Sequence, residues 1–456
     1  MTPALAPTVA ARPLSPLERW YWVCDQIAPL NVIGHVRLRG ALPEELLAQG
    51  LDALQRRHPL LRAAIRADAA GRNPRFVPVT GRPIPLRVVA ADDPDTGWQR
   101  VVDEQELNTA VDWQGGPLAR AVLVTTEAAG NGTADVHDLV LTVPHCVADG
   151  TTVLTLLRQW IELAAEIGAA GPDDPPAVCA ERALPAPDTL LPPAFRGLAG
   201  TRRVLAQQLS DQATARRRKP RRMEAGRRVP FRDRATRLLH RELGHEALAD
   251  LIAACHREQT TVHGALAAAM VTAVAEDAGG HPGPVMIGSP VNFRDDLVPA
   301  VTDREVGTYV ASVPTLVDYR PGAPLWPMAR AVSRDLVRRR QRGEQLAAVA
   351  AMGLVAPKSV AKSRRFLTFM ENKGPLTLCL SNIGRHDFPA AVGPWQLSEA
   401  EFIAGLSVNA LYCATVNTSH GRMAWNFTHI DGAVPTERAT RIADASMDAV
   451  LAAAKP

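Results

Sequence analysis

His145 is the residue of this sequence best placed to carry chemistry. It lies between a predicted strand at 139–143 and a predicted helix at 151–167, so its side chain is expected where a sheet meets a cleft. Gly150 permits the positive φ that a sharp turn into the helix would use. A neutral imidazole, whose ordinary pKa is about 6.5, can take the proton of a hydroxyl that attacks a carbonyl and return it to a departing thiolate. On spacing alone, a structural histidine beside a turn stays open as the alternative.

The length and composition of the chain limit the classes of protein to which it can belong. A chain of 456 residues, 46% hydrophobic and 21% charged, predicts two domains of roughly 200 residues each with the composition of a soluble globular protein. The net charge of +4 gives no reason to expect nucleic acid as a partner. No apolar run is long enough to span a bilayer, and residues 1–12 do not have the pattern of a secretory leader. The six scattered cysteines favour reduced thiols over disulfides or a zinc site, and we expect a cytoplasmic location.

The elements predicted along the chain mix helices and strands throughout. Ser15, Pro16 and Glu18 have the types and spacing of a helix start. Apolar periodicity predicts further helices from Pro43 to His58, at 245–275 and at 325–340, and strands at 31–39, 86–89, 119–124, 138–143, 285–287 and 306–317. The fold class that follows is α/β.

One segment divides the chain almost in half. Prolines crowd residues 170–193 and arginines crowd residues 202–237, which is typical of a linker or a surface crossover. We therefore predict an N-terminal lobe at 1–180, a crossover linker at 181–237 and a C-terminal lobe at 238–456. The basic run at 216–222 is interpreted as part of a solvated crossover, with a dock for coenzyme A phosphates or an acidic carrier protein as the alternative.

The segment around His145 also resembles a known family. Residues 144–150, Pro-His-Cys-Val-Ala-Asp-Gly, resemble the His-His-x-x-x-Asp-Gly motif of the condensation-domain superfamily, which includes chloramphenicol acetyltransferase, peptide-synthetase condensation domains and polyketide-associated O-acyltransferases. Pro144 replaces the first histidine, whereas His145 matches the second, which is the base in the family. Other segments similar to the superfamily follow in its order: 14–19, 57–62, 116–120, 290–294, 306–309 and 380–384.

Among the branches of the superfamily, the stand-alone polyketide-associated O-acyltransferases are the most similar, because we expect no attached carrier or adenylation domain. The wax-ester synthases fit less well, since His263 and Gly264 stand where their Asn-Asp pair is expected. The resemblance implies two chloramphenicol-acetyltransferase-like lobes that form a pseudo-dimer with a central channel.

The resemblance also implies the roles of particular residues. His145 would be the general base in the channel, reached by donor and acceptor from opposite faces. Asp149 would point away from the channel and pair with Arg294, bracing the loop that contains Gly150. The family's strand positions bring Thr308, Ser381 and Asn382 near as candidate oxyanion donors, although each could instead satisfy local backbone groups.

The expected function is transfer of an acyl group from acyl-CoA or an acyl carrier protein to a hydroxyl of a polyketide, lipid or other secondary metabolite, without a covalent acyl-enzyme. Amide formation by a free-standing condensation enzyme is one alternative. A binding module that has lost turnover is another, and Pro144 is the feature that favours it. No metal or bound cofactor is expected, the phosphopantetheine thioester being a co-substrate, and the chain is expected to be a monomer without a membrane span.

Overall fold

The helix predicted after Ser15 begins as its residues indicate. In the computed structural model, which describes residues 11–126, 135–171, 178–373 and 377–455, Ser15 Oγ accepts from Glu18 N at 3.1 Å, and Glu18 Oε2 accepts from Ser15 N at 2.6 Å. Arg12 then clamps the Glu18 carboxylate with two further bonds of 2.7 and 2.8 Å. This reciprocal cap fixes the start of the first helix. Residues 1–10, which form most of the segment predicted not to be a secretory leader, lie outside the described residues.

Helices and strands alternate along the described chain. The helices are α1 (Pro16–Asp25), α2 (Glu44–Arg57), α3 (Gly97–Val101), α4 (Gly150–Ala170), α5 (Gly197–Arg218), α6 (His245–Arg257), α7 (Val262–Asp277), α8 (Leu325–Gln341), α9 (Glu344–Val355), α10 (Arg364–Lys373) and α11 (Thr436–Ala454). The strands are β1 (Asn31–Arg39), β2 (Ala63–Arg66), β3 (Arg75–Pro78), β4 (Leu86–Ala90), β5 (Arg120–Thr126), β6 (Val136–Pro144), β7 (Thr236–Leu239), β8 (Glu242–Leu243), β9 (Gly283–Asn292), β10 (Val310–Tyr319), β11 (Leu378–Arg385), β12 (Ala391–Val392), β13 (Trp395–Ala404), β14 (Tyr412–Ser419) and β15 (Arg422–Ile430).

All of these strands except β2 and β3, which pair with each other, form two large sheets, one in each lobe. The mixed α/β fold with two sheet-containing lobes is therefore confirmed. The first sheet has the order β12-β13-β1-β6-β5-β4, and the second has the order β10-β9-β11-β14-β15-β7, with β8 beside β15. Helix α4 packs its buried face on the first sheet, and α7, whose side chains are almost all buried, belongs to the core of the second lobe. Among the described residues, no helix combines the length and the apolar character that crossing a bilayer requires.

The first sheet takes two of its strands from the second half of the chain. Residues 391–404 lie in the segment predicted to form the C-terminal lobe, but β13 pairs antiparallel with β1 and β12 extends that edge. The predicted boundary is therefore wrong for these two strands. The physical reason is that an alternating pattern predicts a strand but not its partner, and β1, buried almost along its whole length, needs a neighbour on each side.

A buried polar network joins β13 to neighbouring strands of the first sheet and to β15 of the second sheet. His35 on β1 contacts Asp138 on β6 at 2.9 Å through Nε2 and Glu401 on β13 at 3.1 Å through Nδ1. The other oxygen of Glu401 accepts from Asn426 Nδ2 on β15 at 2.6 Å and lies 3.3 Å from His240 Nδ1. Burial opposes a charge on His240, but the adjacent Glu401 carboxylate raises the pKa of His240 to about 9. The strand that crosses to the first lobe is thus bonded by its side chain to the second.

The predicted linker at 181–237 is partly helical, which corrects the sequence interpretation. Within it, α5 forms a 22-residue helix of good helix formers, yet only Gly200 and Val204 on it are buried, so the helix contributes little to the core. The helix predicted at 245–275 is interrupted, because the backbone of Gln259 has φ of 49° and Thr261 caps a new helix by accepting from Gly264 N at 3.0 Å. The strand predicted at 306–317 begins only at Val310, which leaves residues 306–309 free to reach the candidate site.

Candidate functional site

His145 lies at the junction of β6 and α4, as its sequence context predicts. Its backbone N–H donates to Leu30 O at 2.9 Å, which extends the pairing of β6 with β1 by one residue. The chain then turns through residues 146–149 and enters α4 at Gly150. The imidazole is thus fixed at the end of a central strand.

Pro144 occupies a position where a missing backbone donor costs no sheet hydrogen bond. Pro144 pairs with Asn31 in the β1–β6 register, and the next residue, His145, supplies the bond to β1. Neighbouring residues of an antiparallel strand bond to opposite sides, so the nitrogen of Pro144 faces the β5 side, where pairing reaches only to Thr142. The proline therefore leaves the β1–β6 pairing intact up to His145.

The imidazole of His145 is held in one tautomer. Its Nδ1 lies 2.9 Å from Ala148 O, and because a carbonyl oxygen can only accept, Nδ1 must carry the proton. Nε2 of the neutral ring then keeps its lone pair and has no hydrogen-bond partner among the described residues. The ring stacks on Tyr21 of α1, with centroids 4.1 Å apart and planes 12° apart. Because His145 is only half-buried, an unpaired proton acceptor is available at this position.

The surroundings of His145 keep the ring neutral. Burial disfavours the imidazolium and lowers the pKa of His145 below its ordinary value, although the Ala148 carbonyl and the Asp149 carboxylate act in the opposite direction. The neutral form therefore dominates at pH 7. A neutral imidazole with an open Nε2 is suited to accept a proton from a hydroxyl or an amine.

The carboxylate of Asp149 forms no hydrogen bond with His145 in the described chain, and both of its oxygens are bonded to other groups. Arg294 Nη1 and Nη2 donate to Oδ2 and Oδ1 at 2.8 and 3.0 Å, in the bidentate geometry of a strong ion pair. Oδ1 also accepts from Thr152 N at 2.9 Å, and Oδ2 accepts from Tyr309 N at 2.8 Å. The pairing of Asp149 with Arg294 that the sequence analysis predicted is therefore present.

The same group of residues joins the two halves of the chain. Thr152 Oγ1 accepts from Arg294 Nη2 at 2.6 Å and donates to Gly307 O at 2.7 Å. Burial acts to raise the pKa of Asp149, but Arg294 and the backbone donors lower it overall. Because Asp149 and Thr152 belong to the start of α4 whereas Arg294 and Gly307 flank β9 and β10, the network ties the loop after His145 to the second lobe.

Gly150 is required by packing rather than by its backbone angle, which corrects the sequence prediction. Its φ is not positive, and it forms the first residue of α4. A Cβ built at this position would lie 2.6 Å from Phe402 Cε2 on β13. The ring of Phe402 is buried and cannot yield freely, so only glycine fits.

Replacing Gly150 with alanine is expected to lower the free energy of unfolding by about 1–3 kcal/mol, because the overpacking outweighs the gain in helix propensity. Thermal unfolding would measure this loss. The double variant Gly150→Ala/Phe402→Leu should recover part of it. Gly353→Ala is the matched control, since a Cβ there meets only Pro16 Cγ at 3.9 Å; equal effects at Gly150 and Gly353 would contradict the packing argument.

The three candidate oxyanion donors have different surroundings. Thr308 is fully buried, and its Oγ1 has no hydrogen-bond partner in the described part of the chain; its neighbours Gly307 and Tyr309 both bond to the α4 start. Ser381 is half-buried on β11. Asn382 Oδ1 accepts a hydrogen bond from Gly384 N at 2.7 Å. Asn382 thus satisfies a local backbone group, which is the alternative to an oxyanion role given in the sequence analysis. No hydrogen bond within the described ranges joins any of the three to His145.

Sequence reasoning missed three side chains that shape the site. Tyr21 stacks on His145, Thr152 bridges Arg294 and Gly307, and Phe402 excludes a side chain at Gly150. Only Tyr21 gave a signal, as an aromatic residue two positions after the segment 14–19 that resembles the family opening. Among the described residues, no group of three or more His, Cys, Asp or Glu side chains is arranged to hold a metal ion.

The chain is similar to one protein family over part of its length and to several solved structures over nearly all of it. Residues 233–410 match the family described as "Phthiocerol/phthiodiolone dimycocerosyl transferase C-terminus". The structure of polyketide synthase associated protein 5 from Mycobacterium tuberculosis has a TM-score of 0.65 at 17% identity, covering 98% of this chain and 99% of its own. The chain therefore has the fold of this solved structure, and the family match covers residues 233–410 only. No curated protein sequence matches it.

Two condensation domains of synthetases show the same fold at low identity. The first condensation domain of the calcium-dependent antibiotic synthetase, in complex with a substrate analogue, has a TM-score of 0.68 at 16% identity, with 99% and 98% of the two chains covered. The starter condensation domain of rhizomide synthetase, in complex with C8-CoA and Leu-SNAC, has a TM-score of 0.68 at 15% identity, with 98% and 95% covered. The superfamily fold thus extends over nearly the whole chain.

Proposed function

We propose that this protein transfers an acyl group from a thioester to a hydroxyl, with His145 as the general base and without a covalent acyl-enzyme. The observation that carries the proposal is the fixed tautomer of His145, which leaves Nε2 unpaired on a half-buried ring. The match to a dimycocerosyl transferase family and the fold of the condensation domains support acyl transfer as the reaction class.

The proposed reaction needs no nucleophile from the protein. Nε2 of His145 accepts the hydroxyl proton as the oxygen attacks the thioester carbonyl, and the tetrahedral intermediate carries the charge on its oxygen. Collapse breaks the C–S bond, and Nε2–H returns the proton to the departing thiolate. Cys146, next in the chain, is buried, which raises the pKa of its thiol well above the ordinary value, so it is not a thiolate nucleophile. Thr308, Ser381 and Asn382 stay the candidate oxyanion donors, and Thr308 Oγ1 is the one of them that is fully buried without a partner in the described chain.

The acyl donor is proposed to be acyl-CoA or an acyl carrier protein, and the acceptor an alcohol of a polyketide, lipid or other secondary metabolite. The complex of the rhizomide starter domain with C8-CoA supports a thioester donor, and the dimycocerosyl transferase match supports a lipid alcohol. Amide formation is the second candidate, because condensation domains are among the structures with this fold.

The cytoplasmic location and the monomeric state stay predictions. The six free cysteines fit a reducing compartment.

A competition experiment tests the proposed reaction. The purified protein is incubated with a panel of acyl thioesters and with an alcohol and an amine of matched carbon skeleton, and the products are identified by intact mass. We expect the ester to predominate. Predominance of the amide would assign the second candidate. Thioester hydrolysis and transfer that do not exceed those of His145→Ala would instead indicate a binding module without turnover.

The pH dependence of the reaction is expected to report the environment of His145. Because the neutral ring is the base and burial lowers its pKa, kcat/KM should be above half of its plateau value at pH 6.5, where a free imidazole is half protonated, and should reach half of the plateau only at a lower pH. The measurement is kcat/KM over an acidic pH series with a neutral alcohol. An acid limb centred at or above pH 6.5 would show that the ring is not desolvated during turnover.

A further inference from the structure

Helix α5 exposes a row of leucines that nothing in the described chain covers. Its inner face is formed around Gly200 and Val204, the only buried residues of the helix. On the opposite face, Leu198, Leu205 and Leu209 are 81%, 55% and 67% exposed. Three of the four leucines exposed in the described chain therefore lie on one side of one helix, where the spacing of seven and four residues aligns them.

Arginines share this outward face. At 100° per residue, Arg202 and Arg216 lie on the same side as the three leucines, and both are exposed. The helix contains five arginines and one aspartate, so its net charge of +4 equals that of the whole chain. Arg202, Arg216 and the neighbouring Arg217 form no ion pair with a described residue, in contrast to Arg218, which is bonded to Asp318.

We propose that α5 docks this protein on the surface of a bilayer that contains anionic lipid. Leucines in one row with arginines at their side form the arrangement of an interfacial helix, in which leucines enter the acyl boundary while arginine stems reach up to the phosphates. The row from Leu198 to Arg216 is about 27 Å long at 1.5 Å per residue and lies along one side of a helix in which only two residues are buried.

The charge of α5 and its exposed leucines together favour a bilayer over an acidic protein as its partner. An acidic carrier protein would satisfy the arginines, but contacts of that kind give no role to Leu205 and Leu209, which stand well exposed between Arg202 and Arg216. A bilayer uses both sets of side chains, because its headgroups carry the complementary charge and its acyl region takes the apolar ones. The inference concerns binding of the protein to a surface and does not depend on the proposed reaction.

The test is co-sedimentation of the full chain with extruded vesicles of phosphatidylcholine, with and without phosphatidylglycerol. We expect binding to the anionic vesicles, weakening as salt is raised. Arg202→Gln and Arg216→Gln should each lower the partition coefficient about five-fold. The variant Leu205→Ser/Leu209→Ser should lower it roughly ten-fold or more. Since all four positions are exposed, thermal unfolding of the variants should match that of the parent.

Leu354→Ser is the matched control, because Leu354 is a 54% exposed leucine on α9 and should leave vesicle binding unchanged. Absence of binding to anionic vesicles would overturn the proposal. Binding that is lost with the arginines but unchanged in Leu205→Ser/Leu209→Ser would also overturn it, since no side chain would then enter the bilayer. The proposal fails as well if a purified acyl carrier protein, and not the vesicles, binds in a manner that depends on Arg202 and Arg216.

Discussion

His145→Ala is expected to lower kcat/KM for acyl transfer by about 100-fold to 10,000-fold while the protein stays folded. The substitution removes Nε2, the unpaired acceptor, but leaves the β6–β1 bond of the residue intact, since that bond is made by the backbone. The measurement is steady-state transfer from an acyl thioester to an alcohol, with circular dichroism and thermal unfolding of the same samples to show that the fold persists.

Tyr21→Leu is the matched control for this experiment. It keeps the imidazole and removes the ring that stacks on it at 4.1 Å. An aromatic pair contributes about 0.5–1.5 kcal/mol, so kcat/KM should change by about ten-fold at most. If the two variants lose activity equally, the imidazole has no chemical role of its own, and the site must be reconsidered as structural.

Asp149→Ala is expected to lower the free energy of unfolding by about 3–5 kcal/mol, because it leaves the buried guanidinium of Arg294 without its counter-charge. Both side chains are almost fully buried, and the carboxylate also serves Thr152 N and Tyr309 N. Arg294→Ala should cost a similar amount for the converse reason. Thermal or urea unfolding of the purified variants provides the measurement.

Asp303→Ala provides the control for the ion pair. Its carboxylate lies 3.8 Å from Arg294 Nε, but it is 70% exposed, so its loss should change stability by less than about 1 kcal/mol. The double variant Asp149→Leu/Arg294→Met should be more stable than either single alanine variant, because it leaves no lone buried charge. If Asp149→Ala unfolds like the parent but has lost activity, Asp149 acts in catalysis and not as a brace.

The contribution of the ion pair should depend on pH in a defined direction. The pKa of Asp149 is lower in the folded state than its ordinary value, so its stabilising effect is complete above about pH 4, the ordinary carboxyl range. It is lost as the pH falls through the lower folded-state pKa. The difference in stability between the parent and Asp149→Ala should therefore shrink in acid.

The sequence by itself determined the local features of this protein. The cap formed by Ser15 and Glu18, the strand before His145 and the long helix after it follow from residue types and period, because these features need only neighbours in the chain. The resemblance around residues 144–150 and 290–294 predicted the pairing of Asp149 with Arg294, and the two-lobed fold came from the same source. The position of His145 between strand and helix thus follows from the chain alone.

Tertiary structure decided whatever depends on partners distant in the chain. The sequence analysis predicts no strand at 395–404, and only the tertiary structure shows that β13 pairs with β1 in the first sheet. A glycine at position 150 suggested a turn, whereas the ring of Phe402, 252 positions away, is what requires it. The sequence analysis does not predict helix α5, because the buried face of this helix is small. The tautomer of His145 likewise depends on the Ala148 carbonyl, and that geometry arises only when strand, turn and helix pack together.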